Sequence, residues 1–296
     1  MVKVRVPGTS ANLGAGFDSL GMALNIYNTV SFEENEGLDI SASDGTFVPK
    51  DETNLVYRTA KHLYAECGKP FKGLKLVQTN ALPMARGLGS SSACIVAGIM
   101  GANALMGSPL TNADILDYAV DIEGHPDNVA PALLGGFVSC VVENKHAFAV
   151  RHDISQDLTF AAFIPSFRLL TEKARAALPK DVPLCNAIYN VSRAALCSAA
   201  FCEERYELLG VATGDMLHQP YRLPLIEGGA EVLELAKNLG ALAAFVSGAG
   251  PTLMAVVDKE NIDFATKAKA LLRNSETGCT FELSALKADN EGAKFI

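Results

Sequence analysis

The chain lacks a basic excess: 25 lysines and arginines stand against 33 aspartates and glutamates, for a net charge of −8. Nucleic-acid and acidic-membrane binders need a basic surface, so neither partner is expected. An acidic protein can still bind a nucleotide if local N–H groups, arginines or Mg²⁺ supply a positive field. Paired cysteines are also missing. The seven cysteines, at 67, 94, 140, 185, 197, 202 and 279, contain no C-x-x-C, and an odd number closes no disulfide framework. They are expected to be reduced thiols in a cytoplasmic protein. No uninterrupted apolar run reaches membrane-spanning length; the longest candidate, residues 241–257, is broken by Ser247, Gly248, Gly250 and Pro251. No secretory leader is seen, because Met1 runs directly into the strand-like VKVRVP.

What is present is a soluble globular composition, with 49% hydrophobic and 20% charged residues over 296 positions. That length suits one large or two ordinary domains. Alternating or β-branched runs predict strands at residues 2–6 (ended by Pro7 and Gly8), 23–32, 38–41, 74–79, 137–142, 147–151, 158–164, 242–246, 252–257 and 280–283. Helical spacing points to residues 54–67, 91–106, 111–123, 171–178, 184–209, 229–239 and 264–272. Thr111 and Asp114 resemble a capping box at the head of the third of these. The strand at 158–164 is expected to open a second domain, dividing the chain into 1–155 and 156–296.

Residues 83–93 read PMARGLGSSSA and lie between a strand and a helix. Two glycines and three consecutive serines thus stand at a helix N-terminus, where backbone N–H groups are unpaired and the helix dipole is positive. Glycine allows close backbone approach and serine adds hydroxyls, a combination suited to a phosphate chain. The segment is not a GxxxxGK[ST] loop, since no lysine enters the helix; it lacks the third glycine of a dinucleotide fingerprint; and the protein-kinase HRD and DFG signatures are absent. Cys94 next to it reads as a small buried hydrophobe rather than a reactive thiol.

Two further segments bear on the same chemistry. Residues 7–18, PGTSANLGAGFD, place Thr9, Ser10, Asn12 and Asp18 among three glycines directly after a strand. Residues 247–252, SGAGPT, form a tight glycine loop between two apolar strands, able to approach a phosphate or simply to turn the chain. The middle segment resembles the PxxxGLGSSxA motif of the GHMP kinases, and the other two resemble that family's flanking motifs. PGTSANLGAGFDSLGMAL, HPDNVAPALLGG and SGAGPTLMAV are most similar, in order and spacing, to its homoserine-kinase branch. The likeness extends over nearly the whole chain.

The resemblance implies a two-domain α+β fold, with a ribosomal-S5-like N-terminal domain, a ferredoxin-like C-terminal domain and the active site between them. It implies ATP-dependent phosphorylation of the side-chain hydroxyl of L-homoserine, a step of threonine biosynthesis. ATP would lie along Pro83, Met84, Ala85, Arg86, Gly87, Leu88, Gly89, Ser90, Ser91, Ser92 and Ala93, with Asn54 near the adenine or serving as an ordinary N-cap. Ser91 and Glu123 would hold Mg²⁺, as oxygen donors suit that ion. Arg175 and Arg222 would grip the substrate carboxylate. Asn12, Asp18, His125 and Asp127 would line its amino and hydroxyl end. The family's mevalonate kinases place a catalytic aspartate near Asn128, and an asparagine cannot take a proton. That leaves Asn12 polarising the hydroxyl, with the proton passing to the phosphate, or His125 as base. A homodimer accords with many relatives. The alternatives are a GHMP kinase for another small alcohol and a nucleotide-fold sensor without catalysis.

Overall fold

The computed structural model describes residues 1–273 and 279–296. The first layer is a seven-stranded sheet. It contains β1 (Val2–Ala11), β2 (Leu20–Glu34), β3 (Gly37–Ala42), β4 (Gly73–Asn80), β5 (Phe137–Glu143), β6 (His146–His152) and β11 (Lys294–Phe295). The order is β11-β1-β2-β4-β3, with the β5–β6 hairpin attached to the start of β2. Among the described residues only the β3–β4 pair is parallel. Helices α1 (Leu55–Glu66), α2 (Ser90–Leu105), α3 (Asn112–Glu123) and α4 (Pro126–Leu134) pack together, with α2 and α4 resting directly on β1 and β2.

Helix α2 is apolar on nearly every side, and it is buried almost throughout. A helix of that composition belongs inside a core. Two glycines make its close contacts possible: a Cβ on Gly98 would stand 2.8 Å from the Val56 carbonyl oxygen, and one on Gly101 would stand 2.5 Å from the Phe32 ring. The buried body of α2 anchors its serine-rich N-terminus beside β1, where the Thr9 N–H donates to the Leu88 carbonyl at 3.2 Å.

The second layer is a four-stranded antiparallel sheet of order β10-β7-β9-β8, built from β7 (Leu158–Pro165), β8 (Ala243–Val246), β9 (Leu253–Asp258) and β10 (Phe281–Leu286). Strand β7 is buried on both faces. Phe160 and Ala162 join the first core, while Ala161 and Phe163 join a second core with Val232 and Phe264. That second core lies under α9 (Gly229–Asn238) and α10 (Phe264–Arg273). Between β7 and β8 run α5 (Thr171–Ala176), α6 (Leu184–Cys202), α7 (Leu209–Ala212) and α8 (Gln219–Arg222). The 155/156 division falls in the loop between β6 and β7. The last residues cross back, so that β11 pairs with β1. No helix among the described residues is long and apolar enough to cross a membrane.

Two local expectations need correction. Pro7 and Gly8 do not end the first strand. The ladder shifts register between them, a bulge that absorbs the proline's missing donor, and β1 continues to Ala11. Gly8 is required there, since a Cβ would fall 2.4 Å from Leu82. In the HPDNVAPALLGG segment, to which the sequence pattern assigns no element, Pro126 opens α4 at its first turn, where no N–H is needed. Helix α6 stops at Cys202 rather than running on to 209, because Glu204 takes a left-handed φ of 53° and a 3₁₀ turn follows. The capping box at Thr111 and Asp114 is present in both directions.

Candidate active site

The three motif segments meet at one place. The Ser247 hydroxyl donates to the Gly87 carbonyl at 2.6 Å and lies 2.8 Å from the Ser10 hydroxyl. The Gly248 N–H donates to the Ala11 carbonyl at 3.0 Å. Around this junction the surface opens into two lobes that share Ala85, Ser90 and Ser91. One is polar, about 220 Å³, and contains Asn12, Asp18, Glu123, His125, Asp127, Asn128, Arg175 and Arg222. The other is larger, about 540 Å³, and more apolar, walled by Phe47, Val48, Leu82, Pro83, Met84 and Cys94.

The N-terminus of α2 stands where the lobes join. Its first helical bond runs from the Ala93 N–H to the Gly89 carbonyl, so Ser90, Ser91 and Ser92 have no intrahelical acceptor for their N–H groups. Gly87 and Gly89 have φ of 72° and 69°, values that favour glycine. Gly89 also has no room for a side chain: a Cβ would stand 1.9 Å from the Thr9 hydroxyl. Leu88 and Ala93 are buried in the core, so they present only backbone to the site. Arg86 does not reach into the lobe freely, because its guanidinium donates to the carbonyls of Pro165 and Ser166 at 3.0 and 2.9 Å.

Glu123 is the last residue of α3, where the helix dipole is negative. Its carboxylate accepts from the Ser91 hydroxyl at 3.0 Å and the Ser92 hydroxyl at 2.7 Å. Burial and the Glu123 charge push the Cys94 thiol up to about 12, which makes it inert. Asn54 caps α1 through its carbonyl oxygen and donates to Pro49 and Gln78 through its amide nitrogen. It therefore lines the apolar lobe as wall, with its polar capacity already used.

In the polar lobe, Arg175 makes a two-pronged pair with Asp18. Arg222 is buried, and desolvation, aided by Arg175, lowers its pKa to about 10, so it stays charged at neutral pH. Both guanidiniums lie over the Phe17 ring. The Asn12 oxygen accepts from the Asp18 N–H at 3.0 Å, and its amide nitrogen donates to the Gly248 carbonyl at 2.9 Å. Asn12 thus shapes the loop that carries Asp18. His125 sits 2.6 Å from buried Asp127. Burial lowers the imidazole's affinity for a proton, but the Asp127 hydrogen bond and the charges of Asp127 and Glu123 outweigh it, so the net shift is upward. The Asn128 carbonyl oxygen accepts from the Thr9 hydroxyl at 2.7 Å, which leaves its amide nitrogen as the group able to donate into the lobe.

Sequence reasoning assigned no role to Ser10, Thr9, Ser247 or His218. The first three lay inside segments already noted for their polarity. His218 had no signal beyond its place four residues before Arg222.

Residues 54–136 match the N-terminal domain of the GHMP kinases, and residues 197–270 match the GHMP kinase C-terminal domain. A homoserine kinase of Clostridium beijerinckii is 45% identical over 100% of this chain and 99% of its own length. The chain belongs to the GHMP kinase family, in its homoserine kinase branch. A second relative, the homoserine kinase of Caldicellulosiruptor saccharolyticus, is 44% identical over 99% of this chain and 96% of its own. Among solved structures, the homoserine kinase of Cytophaga hutchinsonii superposes with a TM-score of 0.86 at 28% identity, covering 100% of this chain and 97% of that one. A putative homoserine kinase of Listeria monocytogenes gives 0.82 at 35% identity, covering 100% and 99%. The two-domain α+β fold of the family is thereby established for this chain.

Proposed function

We propose that this chain transfers the γ-phosphoryl group of ATP to the side-chain hydroxyl of L-homoserine, giving O-phospho-L-homoserine for threonine biosynthesis. The carrying observation is a juxtaposition within one lobe. The bare N-terminus of α2 faces a group of opposite charges, Asp18 with Arg175 and Arg222, that matches an amino-acid zwitterion. Full-length relatives named homoserine kinase, at 42–45% identity, support the same substrate.

Phosphoryl transfer needs in-line positioning and charge neutralisation. The apolar lobe suits a nucleobase, and the N–H groups of Ser90, Ser91 and Ser92 suit the phosphates. Ser91 and Glu123, already 3.0 Å apart, fit a Mg²⁺ ion by donor chemistry; when bound, the ion offsets phosphate charge. Arg222 and Arg175 orient the carboxylate, and Asp18 takes the ammonium. The Asn128 amide donates toward the reacting oxygens.

In this reading His125, tied to Asp127 at 2.6 Å, orients the substrate. The hydroxyl's proton then leaves with the transferring phosphoryl oxygens. Assaying ADP formation with homoserine, mevalonate, galactose and shikimate tests the assignment. Turnover is expected with homoserine; turnover with another alcohol and none with homoserine would move the chain to a different GHMP specificity.

A further inference from the structure

We propose that His218 is a positioning residue of the amino-acid lobe, tying the 12–18 loop to Arg222 as a neutral imidazole protonated on Nε2. Its activity test rests on the homoserine reading above; its structural test does not. His218 is fully buried. Its Nε2 lies 2.8 Å from the Gly14 carbonyl, which can only accept, so Nε2 carries the proton. Its Nδ1 lies 3.4 Å from Nη1 of Arg222, which can only donate, so Nδ1 is the bare nitrogen. One ring therefore joins two things the substrate needs. Gly14 lies in the loop that carries Asn12 and Asp18, and Arg222 is the buried cation.

The surroundings hold this tautomer. Phe17 stacks on the ring at 5.2 Å between centroids. Asp215 is the nearest anion, 3.5 Å from Nε2. Its carboxylate is already engaged by the N–H groups of Leu217, His218 and Gln219 and by the Asn190 amide. Asn190 also donates to the Ala15 carbonyl, so the loop is held at two successive residues. Burial lowers the imidazole pKa, with the charges of Asp215 and Asp18 opposing and that of Arg222 reinforcing. Backbone φ is positive at Asn12, Leu13, Gly14 and Asp18, and a loop of that shape needs outside ties to keep it.

The ring's nitrogen chemical shifts and two variants test this. In ¹⁵N-histidine-labelled protein at pH 7, His218 is expected to show the Nε2–H neutral pattern, with or without substrate. An Nδ1–H or imidazolium pattern overturns the proposal even if homoserine is the substrate. His218→Gln keeps an amide donor for Gly14, whereas His218→Leu removes it. The leucine variant is expected to raise the KM for homoserine about tenfold, as for one lost buried hydrogen bond, with the ATP KM and kcat little changed. The glutamine variant is expected to recover most of that loss. Equal losses in both variants, or an equal rise in the ATP KM, would mean that the ring only fills space. If wild-type protein turns over no homoserine, the substrate assignment fails, and the nitrogen shifts still decide the tautomer.

Discussion

Asp18 and Arg175, 157 residues apart in sequence, face each other so that Nη2 meets Oδ1 at 2.8 Å and Nη1 meets Oδ2 at 3.1 Å. Each is the complement of one end of an amino acid. A zwitterion entering the lobe can exchange this internal pair for two new ones, ammonium to Asp18 and carboxylate to the arginines. Asp18→Asn is therefore expected to raise the KM for homoserine by roughly a hundredfold, as for a charged hydrogen bond, while leaving ATP binding near wild type. Steady-state kinetics with each substrate varied in turn check this. Arg175→Lys is expected to lose part of the affinity, since an ammonium cannot grip a carboxylate with two prongs.

The phosphate bend tolerates no side chain at its tip. In Gly89→Ala the added Cβ would stand 1.9 Å from the Thr9 hydroxyl, on a backbone with φ of 69°. Thr9 would have to move, and with it the bond that orients Asn128. We expect destabilisation of about 1–3 kcal/mol and a large loss of nucleotide affinity. Urea unfolding and fluorescent-nucleotide titration measure the two effects separately.

The Glu123 carboxylate is already bonded to two serine hydroxyls. Glu123→Gln keeps the shape and removes the charge. It is expected to raise the Mg²⁺ concentration needed for half-maximal activity at least tenfold, with the homoserine KM little changed. A Mg²⁺ titration at saturating ATP provides the measurement; an unchanged midpoint would remove Glu123 from the metal site.

His125 gives the site a pH signature. Its pKa in the folded chain is raised above the ordinary 6.5, the Asp127 and Glu123 effects exceeding burial. A raised folded pKa contributes stability that is fully present below about 6.5 and is lost as pH climbs through the folded value. Comparing unfolding free energies of wild type and His125→Gln between pH 5.5 and 8.5 should show the wild type's advantage shrinking toward the alkaline end. A constant difference across that range would contradict the Asp127 pairing.

The glycine-serine bend before α2 was legible in sequence because its conformation is local: glycine for left-handed backbone, serine for hydroxyls, and an apolar helix directly behind. Asp18 stood out with Thr9, Ser10 and Asn12 in the polar segment after the first strand, whereas Arg175 and Arg222 were legible only through family resemblance, since nothing in their own neighbourhoods distinguishes them from surface charges. His218 was not legible at all. Its role depends on Gly14, 204 residues earlier, reaching its Nε2. The bulge at Pro7 and Gly8 misled for a related reason. Whether a proline ends a strand or is absorbed depends on the strand opposite, here the register of Tyr27 and Leu24. Helix α4 was hidden by its own prolines, one at the first turn and one, Pro131, inside.

The account rests most heavily on a phosphate site made of bare helix N–H groups without a lysine. Backbone amide chemical shifts followed during titration with Mg²⁺ and a non-hydrolysable ATP analogue test it directly. The account predicts that the amides of Gly87 through Ser92 move first and furthest, saturating together with those bordering the apolar lobe. Saturable nucleotide binding that leaves these amides unmoved would contradict it.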